Sequence, residues 1–366
     1  MTTNQNNVLT IRENDTPIYK ILLENSYGGF LQELNALSVT NQKVCIVSDT
    51  NTAPLYLETI EELIKGRVKE VISFVFPAGE DSKNLSTVGK LYEHLITSRF
   101  DRGDVLLALG GGVVGDLTGY AAATYLRGIR FMQIPTTLLA MVDSSIGGKT
   151  GVDFNRYKNM VGAFYQPKSV YINLNTLKTL PKRVYYSGFG EVIKYGLIGD
   201  KNFYEWLKIH SEDLLNFHEA DVSTMVHRCC LHKQITVEED PTEKGERALL
   251  NLGHTLGHAI ENLKEFELYH GECVALGMVA SAFISKNRGY ITSEELYDIE
   301  CTIKAFHLPI RTTGLIPEDV LAASKNDKKM SSGKIKFILM HSMCHSVIDT
   351  TVTDTELLEA IQYILQ

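Results

Sequence analysis

The feature that most constrains this chain is a fully apolar run, DVLLALG at 104–110, ending in four glycines within six residues, Gly110-Gly111-Gly112-Val113-Val114-Gly115. A continuous apolar run closed by glycine reads as a strand buried on both faces. Such a strand needs helices above and below it, and therefore a mainly parallel sheet. The rest of the first half fits this reading. Short β-type runs at 43–49, 71–77, 129–135 and 169–174 alternate with helical patterns at 54–65 and 85–96. From 181 onward the texture changes to 3.6-periodic segments at 181–198, 219–237, 249–263, 271–288 and 293–306. One more strand candidate, 335–340, precedes a final helix at 354–366. The expected architecture has two domains: an α/β domain with a parallel sheet over 1–180, and a mainly α-helical domain over 181–366.

Composition narrows the classes of function. The 366 residues carry a formal charge of −8, with 44% hydrophobic and 22% charged residues. An acidic globular chain has no general field favouring nucleic acid or anionic lipid, so neither is expected as a partner. Any anionic ligand must be met by a local cluster of cations. The six cysteines form no CxxC pair, and the polar N-terminus lacks an apolar segment. Reduced thiols and a cytoplasmic location are the expectation. The largely apolar stretch 105–125 contains Asp116 and five glycines, which suits strand–turn–helix better than a membrane span.

Gly110, Gly112 and Gly115 satisfy G-x-G-x-x-G between a strand and a helix. In that setting glycines let the backbone approach a pyrophosphate, and free N–H groups at the helix start face it. The plain alternative is a tight turn that packs a helix on a sheet. Two features depart from the usual dinucleotide pattern: the turn follows the third strand candidate, and no acidic residue ends the next strand. Asp49, closing KVCIVSD, and Glu80, in PAGEDSK, are the candidates for a ribose carboxylate.

Metal-ligating types gather in the second half. NLGHTLGHAIE places His254 and His258 four apart on one helical face, His270 follows in YHGE, and Glu191 lies in GFGEVIKYG. Two imidazoles and a carboxylate suit zinc with one position open. A lone histidine is more often a packed residue, but three within seventeen positions favour a metal. Spacing alone pairs His254 with His258, and it also allows one of the two to serve in proton transfer. Cations sit beside these segments: Arg127, Lys149 after Gly147-Gly148, Lys158, Lys194, Lys233, Arg247 and the DKK run at 327–329. Most such side chains are simply solvated. Collected in an acidic protein, they point to a substrate with phosphate or carboxylate groups.

Taken in order, PAGEDSK, GGGVVGD, RGIRFMQIPTTLLAMVDSSIGGKTGVD, YKNMVGAFYQP, GFGEVIKYG, LNLGHTLGHAIE and YHGECVALGM resemble the 3-dehydroquinate synthase family, within the sugar phosphate cyclases. The resemblance runs from VSDTN at 47 to the DKK run, most of the chain. It implies an NAD-binding α/β domain and a helical metal- and substrate-binding domain. It implies zinc, with cobalt as an alternative, on Glu191, His254 and His270, and it turns His258 toward substrate. It implies NAD contacts at Asp49, Glu80, Lys83, Gly111, Gly112, Val113, Val114, Gly115, Asp116, Thr136, Thr137, Asp143, Lys149, Lys158, Thr176 and Thr179. The implied substrate is an anionic sugar-acid phosphate, met by Lys149, Asn159, Lys194, Lys233, Arg247, Asn251, His258 and Lys328, with Arg127 reaching across a homodimer. Leu252 stands where many members carry Phe. The implied chemistry is transient oxidation by NAD, phosphate elimination, return of the hydride, ring opening and aldol closure. A related cyclase and a glycerol-dehydrogenase-like polyol dehydrogenase are the alternatives. The cation set argues against the second.

Overall fold

The computed structural model describes residues 7–155, 157–265, 267–325, 330–331 and 334–365. Two compact units divide them: one runs to Leu180 and includes Val226–Thr242, and the other comprises Pro181–Met225 and Glu243–Gln366.

The first unit contains β1 (Val8–Glu13), β2 (Thr16–Glu24), α1 (Phe30–Ala36), β3 (Lys43–Asp49), α2 (Ala53–Ile64), β4 (Glu70–Phe76), α3 (Leu85–Thr97), β5 (Val105–Gly110), α4 (Gly112–Thr124), β6 (Arg130–Pro135), β7 (Lys149–Phe154), β8 (Tyr157–Phe164) and β9 (Ser169–Asn173). Among the described residues one sheet has the order β1-β2-β9-β6-β5-β3-β4. Its pairings are parallel apart from β1 with β2. Alternate residues of the apolar strands fill two cores. Cys45, Val47, Leu106 and Ala108 join Leu91, Leu95 and Leu117 of α3 and α4. Val44, Ile46, Val105 and Leu107 join Phe30, Leu34, Ile60 and Ile64 of α1 and α2. The DVLLALG run is thus a central strand covered on both faces, and the apolar 105–125 stretch is strand, turn and helix.

Two ribbons add to the sequence reading. β1 and β2 turn through Asn14 and Asp15, both at positive φ, 48° and 64°. Two such residues form the hairpin turn whose twist matches paired strands. β7 and β8 pair separately from the main sheet.

The second unit is built from α5 (Lys182–Gly199), α6 (Lys201–Ile209), α7 (Ser211–Leu215), the start of α8 (Glu219–Glu239), α9 (His254–Leu263), α10 (His270–Asn287), α11 (Ser293–Ala305), α12 (Pro317–Ser324), the small ribbons β10 (Met330–Ser331) with β11 (Lys334–Ile335) and β12 (Phe337–Ser342) with β13 (His345–Asp349), and α13 (Asp354–Ile364). α10 is its axis, buried along nearly its whole length and packed by α5, α9, α11 and α13.

Two expectations need amendment. The single cut at Leu180 does not hold for the end of α8. Lys233 bonds Asp143, Gln234 bonds Thr10 O and Cys230 bonds Met141 O, all first-unit partners. The helix expected over 249–263 begins only at His254. Before it lie a 3₁₀ turn, Glu246–Asn251, and Gly253 in the left-handed region at φ 80°. The apolar period runs through Leu249 and Leu250, but the αL glycine breaks the helix there. Among the described residues no helix is long and apolar enough to cross a membrane.

Candidate functional site

In the first unit the singled-out residues collect at the carboxyl ends of parallel strands. Asp49 ends β3, Gly111 caps α4 directly after β5, Thr136 follows β6, and Thr176 follows β9. β3 continues outward to β4, whereas its neighbour β5 continues the other way to β6. Ligands of open α/β sheets sit at the strand ends beside such a reversal. Asp49 and the glycine turn flank it. The glycines there are closely packed by side chains. A Cβ on Gly110 would stand 2.5 Å from Val114 Cγ2, and one on Gly112 3.0 Å from Ser144 Oγ. Thr136 N donates to Gly110 O at 2.9 Å, tying the two strand ends. Asp49 Oδ1 accepts from the backbone N–H of Asn51 and Thr52, at 2.9 and 2.8 Å. Tyr56 on α2 bonds Thr179 Oγ1 and Thr176 O.

A charged network adjoins this turn. Lys83 Nζ lies 2.8 Å from Asp116 Oδ2 and donates to Asn159 Oδ1 at 2.6 Å. Lys158 Nζ lies 3.4 Å from Glu80. Asn159 N, at φ 51°, donates to Asp153 Oδ1 at 2.7 Å. Burial opposes the charge on Lys83, but Asp116 and Glu80 outweigh it and hold the ammonium charged. Burial also raises Asp116, and the close Lys83 offsets part of this. At 2.8 Å the pair is an ion pair. Glu80, Lys83, Asp116, Lys158 and Asn159 are therefore one constellation. Lys233 pairs with Asp143 at 2.6 Å within the same unit. Lys149 opens β7 as an exposed residue. The Gly147 N–H that an anion could have used donates instead to Tyr19 Oη at 3.1 Å. Arg127 is exposed at φ 67°.

In the second unit three helices bring Glu191, His254 and His270 together. Glu191 Oε1 lies 3.4 Å from His254 Nε2 and 3.2 Å from His270 Nε2. Two ligands of one tetrahedral zinc, each ~2.0–2.1 Å from the ion, stand about 3.3–3.4 Å apart. The donor set therefore fits a divalent metal in type and spacing. The outer atoms are held as well. His254 Nδ1 faces Leu252 O at 3.2 Å, and His270 Nδ1 faces the buried Glu261 at 3.3 Å. Such contacts fix ring orientation and leave each Nε2 for the ion. Lys194 bonds the other oxygen of Glu191, and both side chains are fully buried. Burial disfavours charge on His270, but Glu261 and Glu191 prevail and push it up to about 9. The pocket thus attracts positive charge, as proton or metal ion. The ligand atoms of His258, His254 and His270 lie within 4.8 Å of one another.

Glycines beside these ligands make the convergence possible. A Cβ on Gly271 would stand 1.7 Å from Ser187 O, and one on Gly190 2.3 Å from Gly271 O. One on Gly277 would meet Gly253 O at 1.9 Å, and one on Gly257 Cys273 O at 2.9 Å. α5, α9 and α10 touch backbone to backbone where their ligands emerge. Arg247 is wholly buried on the 3₁₀ turn, and Asn251 Nδ2 donates to Glu243 Oε1 at 2.6 Å. Lys328 lies outside the described residues. Sequence reasoning missed Glu261, although His254, His258 and Glu261 stand at i, i+4 and i+7 of one helix, a readable face. It also missed Asp153, although that residue closes the segment RGIRFMQIPTTLLAMVDSSIGGKTGVD.

The family model for the 3-dehydroquinate synthase N-terminal domain matches residues 73–187, and that for the C-terminal domain matches 188–330. A 3-dehydroquinate synthase of Acetivibrio thermocellus is 43% identical over 94% of this chain and 95% of its own length. One of Alkaliphilus metalliredigens is 44% identical over 88% and 92%. Among solved structures, the 2-epi-5-epi-valiolone synthase of Streptomyces hygroscopicus, with NAD+ and Zn2+ bound, aligns at TM-score 0.88 with 27% identity, covering 94% of this chain and 96% of that one. A glycerol dehydrogenase of Schizosaccharomyces pombe shares the fold at TM-score 0.67 and 15% identity, over 94% of this chain and 88% of that one.

Proposed function

The chain belongs to the 3-dehydroquinate synthase family, and on that footing we propose how its own residues divide the reaction. Its activity is the family's, a carbon–oxygen lyase of the shikimate pathway. It converts 3-deoxy-D-arabino-heptulosonate 7-phosphate to 3-dehydroquinate and phosphate. NAD and one divalent metal are its cofactors: bound, they supply reversible oxidation of a substrate alcohol and polarisation of its oxygen. The carrying observation for the residue assignment is the contact of Glu191 Oε1 with both His254 Nε2 and His270 Nε2.

Glu191, His254 and His270 hold the metal, with zinc favoured by the imidazole–carboxylate set and cobalt accepted by the same ligands. Glu261 and Leu252 O aim the two imidazoles. His258 faces the substrate and moves a proton at a ring nitrogen. The glycine turn Gly111 to Gly115 with Asp116 cradles the pyrophosphate of NAD. Asp49, Glu80, Lys83, Thr136, Thr137, Asp143, Lys158, Thr176 and Thr179 complete its site, with Lys149 shared. Lys194, Lys233, Arg247, Asn251 and Asn159, together with Lys149 and Lys328, hold the carboxylate, phosphate and hydroxyls. Holding one conformer of a flexible substrate lowers the entropic part of the barrier.

A homodimer is supported by Phe154, Tyr157, Met160 and Phe164, apolar side chains exposed along β7 and β8, with Arg127 reaching the partner's site. A cytoplasmic location is supported by six free cysteines, five of them buried. Incubation with the keto-acid phosphate tests the reading. Phosphate should be released only with NAD present and without accumulation of NADH. NADH formed in step with product would favour a dehydrogenase instead.

A further inference from the structure

We propose that the turn joining α6, α7 and α8 is a second divalent-metal site, distinct from the histidine–glutamate cluster, which takes a first-row transition dication such as zinc. His210, Asp213 and Asp221 offer ligand atoms that all lie within 4.8 Å of one another. His210 Nδ1 is 3.2 Å from Asp221 Oδ1. That nitrogen is buried, yet it has no hydrogen-bond partner among the described residues. An imidazole nitrogen and a carboxylate oxygen in contact without hydrogen-bond alignment are placed as two ligands of one ion are, about 3.3 Å apart at ordinary zinc bond lengths. Glu191 and the paired histidines show the same separation, 3.2 and 3.4 Å.

The surroundings hold these groups in place. The Trp206 ring stacks on His210 with centroids 4.5 Å apart and planes at 23°. His218 Nδ1 lies 2.5 Å from Asp221 Oδ2, so one carboxylate oxygen is fixed by His218 while the other faces His210. Orientation of a ligand carboxylate by a neighbouring imidazole is what an outer shell provides. Backbone bonds stiffen the turn: Leu214 N donates to His210 O at 2.9 Å, His218 N to Asp213 O at 2.8 Å, and Val222 N to His218 O at 3.0 Å. An ordinary reading makes Asp221 an acidic residue in the first turn of α8, paired with His218. That reading also covers Asp213, a first-turn acid of α7. It leaves unexplained why Asp213 and Asp221 converge on one buried His210 nitrogen that meets Asp221 Oδ1 at 3.2 Å without hydrogen-bond alignment. One imidazole and two carboxylates, with water in the remaining positions, suit zinc better than magnesium or calcium, which prefer oxygen alone. The site staples three helices and has no part in turnover.

Dialysis of the full chain against zinc sulfate, followed by metal analysis, tests this. Asp213→Ala, at an exposed position, and Asp221→Ala should each retain one equivalent fewer than the parent and turn over at the parent's rate. His218→Ala should bind that equivalent roughly ten-fold more weakly. Excess zinc should raise the melting temperature of the parent more than that of either aspartate variant. His270→Ala, which removes the other cluster, should still lose an equivalent when Asp213→Ala is added. If neither aspartate variant holds less zinc than the parent, the proposal is overturned, whatever His270→Ala does.

Discussion

The two units build their sites by opposite means. In the first, polar side chains stand at the ends of parallel strands and are linked by ion pairs: Lys83 to Asp116, Lys158 to Glu80, Lys233 to Asp143. In the second, the functional atoms come from three helices whose backbones touch through glycine. A strand-end site is set by topology, so its side chains can shift without displacing the frame. A helix-contact site is set by close approach, so a single methyl group moves a ligand. The glycines at the two sites therefore differ in kind. Around Gly115 the obstacle to a Cβ is the end of the Gln133 side chain, 2.7 Å away; around Gly271 it is the Ser187 carbonyl, 1.7 Å away.

The largest effect should separate these two glycines. Gly271→Ala should cost more than the ~1–3 kcal/mol of ordinary overpacking and abolish metal retention. Gly115→Ala should cost about 1 kcal/mol, because Gln133 can swing aside. Denaturant midpoints and metal analysis read both, and equal losses would break the contrast. Next, Lys83→Met leaves Asp116 buried without its cation. Asp116 keeps 17% of its side chain exposed, so the cost should fall near 2–3 kcal/mol, below that of a fully buried pair. NAD affinity should fall with it while metal content stays at the parent level. Loss of metal in Lys83→Met would contradict separate supports for the two sites. Smaller again, Glu261→Gln should weaken metal binding roughly 10- to 100-fold with NAD affinity unchanged, and Glu261→Asp should recover part of the loss. Competition with a chelator measures this, and an unchanged affinity would reduce Glu261 to a packing residue.

Much of the first unit was legible because its signals are local. An apolar run followed by glycines states strand, turn and helix within a few residues, and DVLLALGGGVVGD became β5 and α4. β1 and β2 were not read, since an edge hairpin needs only weak alternation, and its turn is Asn14-Asp15 in place of a glycine pair. β7 and β8 escaped because Gly151 and Gly162 interrupt them where backbone meets backbone. In the second unit the ligand types were legible, and so was the approach of His254 to His258; the carboxylate that joins the cluster was not legible from spacing. Spacing joins His254 with His258, whereas a carboxylate from α5 meets His254 and His270 only once glycine contacts have closed the three helices. The start of α9 was misplaced for a related reason, because Gly253 at φ 80° is a backbone device that hydrophobic periodicity does not register.

The account rests most heavily on which histidines hold the metal. The deciding measurement is the metal content of His270→Ala and His258→Ala, each in an Asp213→Ala background so that only this cluster is counted. His270→Ala should retain no metal with the fold intact. His258→Ala should retain one equivalent and lose turnover. Metal kept in His270→Ala and lost in His258→Ala would contradict the assignment and restore the pairing of His254 with His258.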